Sequence, residues 1–197
     1  MQKPFRRVVT GHDEAGRAVL LSDAAPTRVQ VVGENGPTFY EVWNTRETPA
    51  LIDRRGGEPY EAQLTLAPPR HGTRIRVLDI PPETEATTKI DAAAARAHFA
   101  QIGAADASTA AASSARHPFM HRTRSIDYGI VLEGEITLIL DQGETTVKAG
   151  DIVIQRGTNH GWANRSGSNC RVAFILIDAE LTDGLQLNPQ DPPSGAS

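Results

Sequence analysis

Two histidines and an aspartate, His121, Asp127 and His160, are the residues of this chain best suited by type and spacing to do chemistry. Imidazole suits Fe, Zn, Cu or Ni, and two histidines with one carboxylate and open positions form the ligand set of non-haem Fe(II) oxygenases. Without a metal, the same side chains can work as acid and base, with His160 or His121 moving a proton and Asp127 orienting the ring. Each residue alone also has a plainer reading. A solitary histidine in a β protein is usually hydrogen-bonded or at the surface, and an aspartate commonly belongs to a turn. Whether the three converge depends on the elements that carry them.

Those elements read as short strands. Apolar, mostly β-branched runs at 130–132, 136–140, 145–148, 152–155, 162–164 and 171–177 are separated by Gly134, Gly143, Gly150 and Gly157. Such spacing predicts an antiparallel sandwich or barrel. No helical pattern lies between the runs, which argues against a parallel α/β fold. Residues two apart on a strand share a face. An extended segment through 121–127 therefore places His121, Thr123, Ser125 and Asp127 together, with His117 in the same parity. His160, Trp162 and Asn164 share a face on a later strand, and Tyr128 looks the opposite way to Asp127. The result is a polar pocket in a barrel mouth, in which Thr123, Ser125, Gln155, Trp162 and Asn164 are candidate substrate contacts.

This stretch resembles the two motifs of the cupin superfamily, G-x5-H-x-H-x3-4-E-x6-G and G-x5-P-x-G-x2-H-x3-N. Gly157, His160 and Asn164 keep the G-x2-H-x3-N spacing of the second motif. Its first gap, from Gly150, is one residue short, and Gln155 stands where proline is usual. Counting back from Gly134, the first motif places Asp127 at the glutamate, Thr123 at the second histidine and His121 at the first. The likeness covers roughly residues 115–178, about a third of the chain. It implies an all-β, cupin-like antiparallel β-barrel or jelly roll, with extra N-terminal strands and one inserted Ala-rich helix. It also implies one divalent metal ion, Fe first, with Mn, Ni or Zn as alternatives, held by His121, Asp127 and His160. His117 is the substitute for the ligand lost at Thr123, and no metal is expected if the altered site stays empty. Three functions stay open: a metal-dependent, oxygenase-type enzyme on a small organic acid or aromatic substrate; a metal-independent isomerase, dehydratase or decarboxylase with His160 and His121 as catalytic residues; and a non-catalytic small-molecule-binding module. The family further implies a homodimer that shares N-terminal strands.

The rest of the sequence sets bounds. A length of 197 residues, 39% hydrophobic content and a net charge of −4 describe a globular protein with an ample core. One cupin-like domain over 1–184 is expected, comprising N-terminal strands at 1–82, an insertion at 83–116 and the motif core at 117–178, followed by a disordered tail at 185–197. No basic stripe interleaves with aromatics, so nucleic acid is not an expected partner. No apolar run reaches the ~18 residues that suggest a membrane span, and the N-terminus lacks the apolar core of a signal peptide. The single Cys170 cannot form an internal disulfide and fits a cytoplasmic location. In the insertion, residues 90–103 read as a helix capped by Asp91 and ended by Gly103, with a thin apolar stripe of Ile90, Ala94, Ala97 and Ile102. This helix is either a mobile cover over the barrel mouth or an exposed connector.

Overall fold

Alternation of β-branched and polar residues draws most of the chain into antiparallel strands. The computed structural model describes residues 5–54, 58, 63–112 and 115–186. The N-terminal part supplies β1 (Arg7–His12), β2 (Ala18–Ala24), β3 (Arg28–Val31), β4 (Thr38–Thr45) and β5 (Thr73–Ile80). The motif region supplies β6 (Ser125–Glu133), β7 (Glu135–Leu140), β8 (Glu144–Lys148), β9 (Ile152–Arg156), β10 (His160–Ala163) and β11 (Cys170–Asp178). The main sheet has the order β3-β4-β5-β11-β6-β9, a second has the order β10-β7-β8, and β1-β2 forms a separate hairpin. Of the N-terminal strands, β3, β4 and β5 thus extend the sheet of the motif strands, and β1 and β2 stand apart from it. The fold is the expected all-β cupin barrel. The tail expected at 185–197 lies, from 187 on, outside the described residues.

Side chains from the two sheets meet in a core of Val131, Ile136, Cys170 and Val172, each no more than 2% exposed. The β6–β7 corner turns on Gly134, which has φ +75°; a Cβ there would sit 2.8 Å from the Asn169 carbonyl oxygen. Only glycine avoids both that clash and the left-handed penalty.

In β5 charged and apolar residues alternate, and it is the face carrying Arg74 and Arg76 that turns inward. Arg74 and Arg76 are 1% and 2% exposed. Both lean on Glu41 of β4, which pairs with Arg76 in register. The Arg76 Nε lies 2.9 Å, and the Arg74 Nε 3.5 Å, from that carboxylate. Arg74 also donates to the Thr65 and Ala67 carbonyls, and Arg76 Nη2 donates to the Thr65 carbonyl at 2.6 Å. Buried charge survives where it is paired and hydrogen-bonded, and the alternating pattern alone does not say which face is inside.

The insertion folds as α1 (Glu85–Thr88) and α2 (Ala92–Ala100). Asp91 caps α2, its side chain accepting from the Ala94 amide at 2.8 Å, and Gly103 ends the segment at φ +60°. Of the predicted stripe Ile102 is buried and Ile90, Ala94 and Ala97 only line the cavity, while within α2 it is Ala95 and Phe99 that turn inward. Phe99 and Ile102 join Val32 and Phe39 in a second core cluster. This packing places α2 against the barrel rather than in solvent.

Candidate active site

The site is built where the two sheets touch. His121 is not within a strand. It forms isolated antiparallel bridges to Ser108 and to His160, the first residue of β10, the latter with amide-to-carbonyl bonds of 2.8 and 2.9 Å in the two directions. The backbone pairing sets the rings side by side, with centroids 4.2 Å apart. Each Nδ1 lies 2.9 Å from a backbone carbonyl, that of Phe119 for His121 and that of Thr158 for His160. A carbonyl can only accept, so Nδ1 carries the proton in both rings and the lone pair is left on Nε2. Burial lowers both histidine pKa values, and that of His160 falls well below the ordinary imidazole range, helped by its neighbour His121. Both rings are therefore neutral near neutral pH.

The pair opens into a cavity of about 770 Å³ between the inner faces of β5, β6, β10 and β11, the turn at 33–36 and the two helices. Aromatic rings run continuously along it. Phe99 of α2 lies 5.0 Å from His121, Trp162 lies 6.1 Å from His160, and Phe174 lies 5.5 Å from Trp162. Gly129 of β6 makes room for this wall, because a Cβ there would come within 3.1 Å of Phe174. Phe119 and His98 line the same space, with their rings 4.8 Å apart.

Polar groups inside the cavity are few. Asp127 is 6% exposed, and its Oδ1 is buried without a hydrogen-bond partner. Burial pushes its pKa up to about 6, and the Ser125 hydroxyl and the Arg76 charge pull it back only in part. Arg76 reaches the cavity from β5, and burial brings its pKa down to about 10 despite Glu41.

The sequence-based ligand set is not assembled as expected. Among the described residues, no three His, Cys, Asp or Glu side chains come together as metal ligands. His121 leaves the main sheet to pair with β10, whereas Asp127 stays within it, between Gln155 of β9 and Leu176 of β11. The 121–127 segment is therefore not one continuous strand face. His117 is committed elsewhere: its Nε2 lies 2.6 Å from Glu83, and its Nδ1 accepts from the Phe119 amide at 3.2 Å. The residues present fit a metal held by two neutral imidazoles, with substrate or water completing its coordination. They do not form the three- or four-residue ligand set that the motif spacing suggested.

Of the candidate substrate contacts, Trp162 and Asn164 line the cavity, and Thr123, Ser125 and Gln155 do not. Thr123 and Ser125 bond each other at 2.9 Å, and the Gln155 amide donates to Thr158 at 2.8 Å. Asn164 is saturated by the protein. Its Nδ2 donates to the Ile80 and Ser168 carbonyls, and its Oδ1 accepts from the Ser166 amide and hydroxyl. With its two donors and two acceptor positions used, it is a structural clamp on the 165–168 turn. The sequence reading missed Arg76, His98, Phe99 and Phe119. Arg76 had a signal, a charge on an alternating strand; His98 and Phe99 lie in the insertion and Phe119 just after it, where packing depends on tertiary contacts.

Known proteins align with this architecture. The cupin domain family model Cupin_2 matches residues 110–177. Phomopsin biosynthesis cluster protein C' of Diaporthe leptostromiformis is 31% identical over 183 residues, spanning 88% of this chain and 78% of that protein. The cupin-domain-containing oxidoreductase srdB of Neurospora crassa is 37% identical over 202 residues, spanning 95% of this chain and 81% of its own. Among solved structures, a Cupin 2 conserved barrel domain protein from Salinispora arenicola is 12% identical with a TM-score of 0.40, covering 77% of this chain and 82% of that one. With a cupin-domain relative 37% identical over 95% of this chain, the chain belongs to the cupin superfamily.

Proposed function

We propose that this chain is a cupin oxidoreductase acting on a small organic molecule enclosed in the barrel, with His121 and His160 as its reacting centre. The observation that carries this reading is the paired imidazoles, both neutral and both with Nε2 unprotonated, in a cavity walled by aromatic rings. Two adjacent lone pairs without a donor favour a cation or a substrate proton between them. The oxidoreductase names of relatives from Neurospora crassa and Aspergillus ruber support the reaction class. A divalent metal bound there would supply Lewis acidity and, if redox-active, electron transfer to dioxygen. The chain's own contribution is to fix both rings through their Nδ1–H bonds, to exclude water with Phe99, Trp162 and Phe174, and to present Asp127 and Arg76 to the substrate.

A second reading, acid–base catalysis without metal, is favoured by the lack of a third ligand among the described residues. In it, His160 or His121 takes a substrate proton at Nε2. Metal content separates the two. Protein purified without a His-tag and offered Fe(II), Mn(II), Ni(II) or Zn(II) should bind one equivalent, which His121→Ala and His160→Ala each abolish. Failure of every ion to bind would leave only the acid–base reading. Turnover that survives in both variants would remove this pair from the chemistry altogether. The expected homodimer draws support from edge strand β3, whose Val29 and Val31 are 51% and 55% exposed.

A further inference from the structure

Arg76 raises a question that the histidine pair does not answer. It is 2% exposed and lines the cavity, yet its Nη1 is buried without a hydrogen-bond partner. Its Nη2 is held by the Thr65 carbonyl and its Nε side by Glu41. Glu41 is shared with Arg74, so two guanidinium groups face one carboxylate. A buried guanidinium with an idle N–H is costly unless something arrives to accept from it. The remaining carboxyl nearby, Asp127, acts on Arg76 through its charge, and its Oδ1, like the Arg76 Nη1, is buried without a hydrogen-bond partner. The rest of the cavity is mainly apolar, with Leu78, Phe119, Trp162, Phe174 and Leu176 among its lining.

We infer that the cavity takes an amphipathic carboxylic acid, with its carboxylate received by Arg76 and its apolar body lying among the aromatic side chains. Guanidinium recognises carboxylate through charge-assisted hydrogen bonds, stronger than those to a neutral oxygen. The Nη2 hydrogen bond to Thr65 and the ion pair with Glu41 hold the guanidinium in place and leave Nη1 as its idle donor. A volume of about 770 Å³ leaves room for a body of ten or more carbon atoms beyond the head. This assignment rests on the cavity being the substrate site proposed above, and it names the class of molecule that site accepts.

The test uses three probes with one body and different heads: 4-phenylbutyrate, 4-phenylbutanol and 4-phenylbutylamine. Binding is followed by calorimetry and by the fluorescence of Trp162, with Trp43 as the background. The carboxylate should bind at least tenfold more tightly than the alcohol, and the amine should not bind. Arg76→Gln should erase the carboxylate preference and leave the affinity for the alcohol in place. Should Arg76→Gln fail to fold, Arg76→Lys should retain a reduced preference. Equal binding of acid and alcohol, or no saturable binding of 4-phenylbutyrate, would overturn the inference. His160→Ala separates it from the proposed reaction. A variant that loses turnover but keeps the carboxylate preference supports both. A lost preference in wild-type protein with His160-dependent turnover refutes the carboxylate assignment alone. An intact preference with no turnover on any acid refutes the reaction alone.

Discussion

Replacing Asp127 with asparagine should stabilise the protein at neutral pH and weaken its function. Burial raises the carboxyl from an ordinary 3.8 to about 6, so the native state holds this proton more tightly than the unfolded chain. Native structure therefore binds more protons between those two values, and stability falls as pH rises through that window. The favourable contribution is whole below about pH 4 and gone above about pH 6. A displacement of about two pH units, at about 1.4 kcal/mol each, comes to about 3 kcal/mol. Asparagine keeps the shape and cannot ionise, so it removes that dependence. Wild-type protein alone cannot reveal the effect, because the lowered pKa values of His121 and His160 act in the opposite sense. Their contribution is present above their unfolded value and is lost as pH falls below it. The difference between wild type and Asp127→Asn isolates the carboxyl. Urea denaturation from pH 4 to pH 8 should show the variant gaining about 3 kcal/mol relative to wild type across the range. A difference that stays flat with pH, or that moves the other way, would refute the claim that Asp127 is held in the cavity against its ionised form.

Other substitutions probe the frame of the site. Phe99→Ala removes a ring packed among Val32, Phe39 and Ile102 and should cost about 3–5 kcal/mol by chemical denaturation. It should also open the site, measured as faster quenching of Trp162 by acrylamide. Asn164→Ala removes four hydrogen bonds, three to the 165–168 turn and one to the Ile80 carbonyl, and should cost about 3 kcal/mol, while KM of the folded fraction stays unchanged. A raised KM with unaltered stability would instead make Asn164 a substrate contact. His117→Phe breaks the contact with Glu83 at the cavity rim; metal content should not change, because both His117 ring nitrogens are engaged by Glu83 and the Phe119 amide.

Much of the barrel was legible because strands announce themselves locally. Gly134, Gly143, Gly150 and Gly157 all adopt positive φ, and the strands between them fall where β-branched runs occur. The Asp91 cap and the Gly103 stop of α2 are likewise local signals, and both are realised. What failed was long-range. Parity assumed that 121–127 was one strand, but His121 bonds across to the second sheet and β6 begins only at Ser125. A one-dimensional pattern cannot show a chain changing sheets, so parity set Asp127 on one strand face with His121, whereas the two reach the same cavity from different sheets. The same limit hid Arg76: alternation on β5 was visible, but the choice of inward face depended on Glu41 of β4 and on the Thr65 carbonyl.

The motif residues have divided their labour. Gly157 makes the turn, His160 keeps its ring in the cavity and Asn164 clamps the loop that follows β10. In the first motif, the position that would carry a second histidine is Thr123, whose hydroxyl is spent on Ser125. A site that loses a ligand in this way gains room and loses charge. Two strands away, outside either motif, Arg76 lines the same cavity, with an aspartate whose ionisation burial resists. Such an arrangement binds and orients through fixed donors and acceptors, and it leaves the imidazole pair free to meet the reacting atoms. If that division is right, double substitution at Arg76 and His160 should show additive losses in substrate binding. Arg76 acts on the head of the ligand and His160 on its reacting end, and independent contacts add. Strong non-additivity in a double-mutant cycle would mean that both residues act on one group and that the carboxylate lies at the histidines themselves.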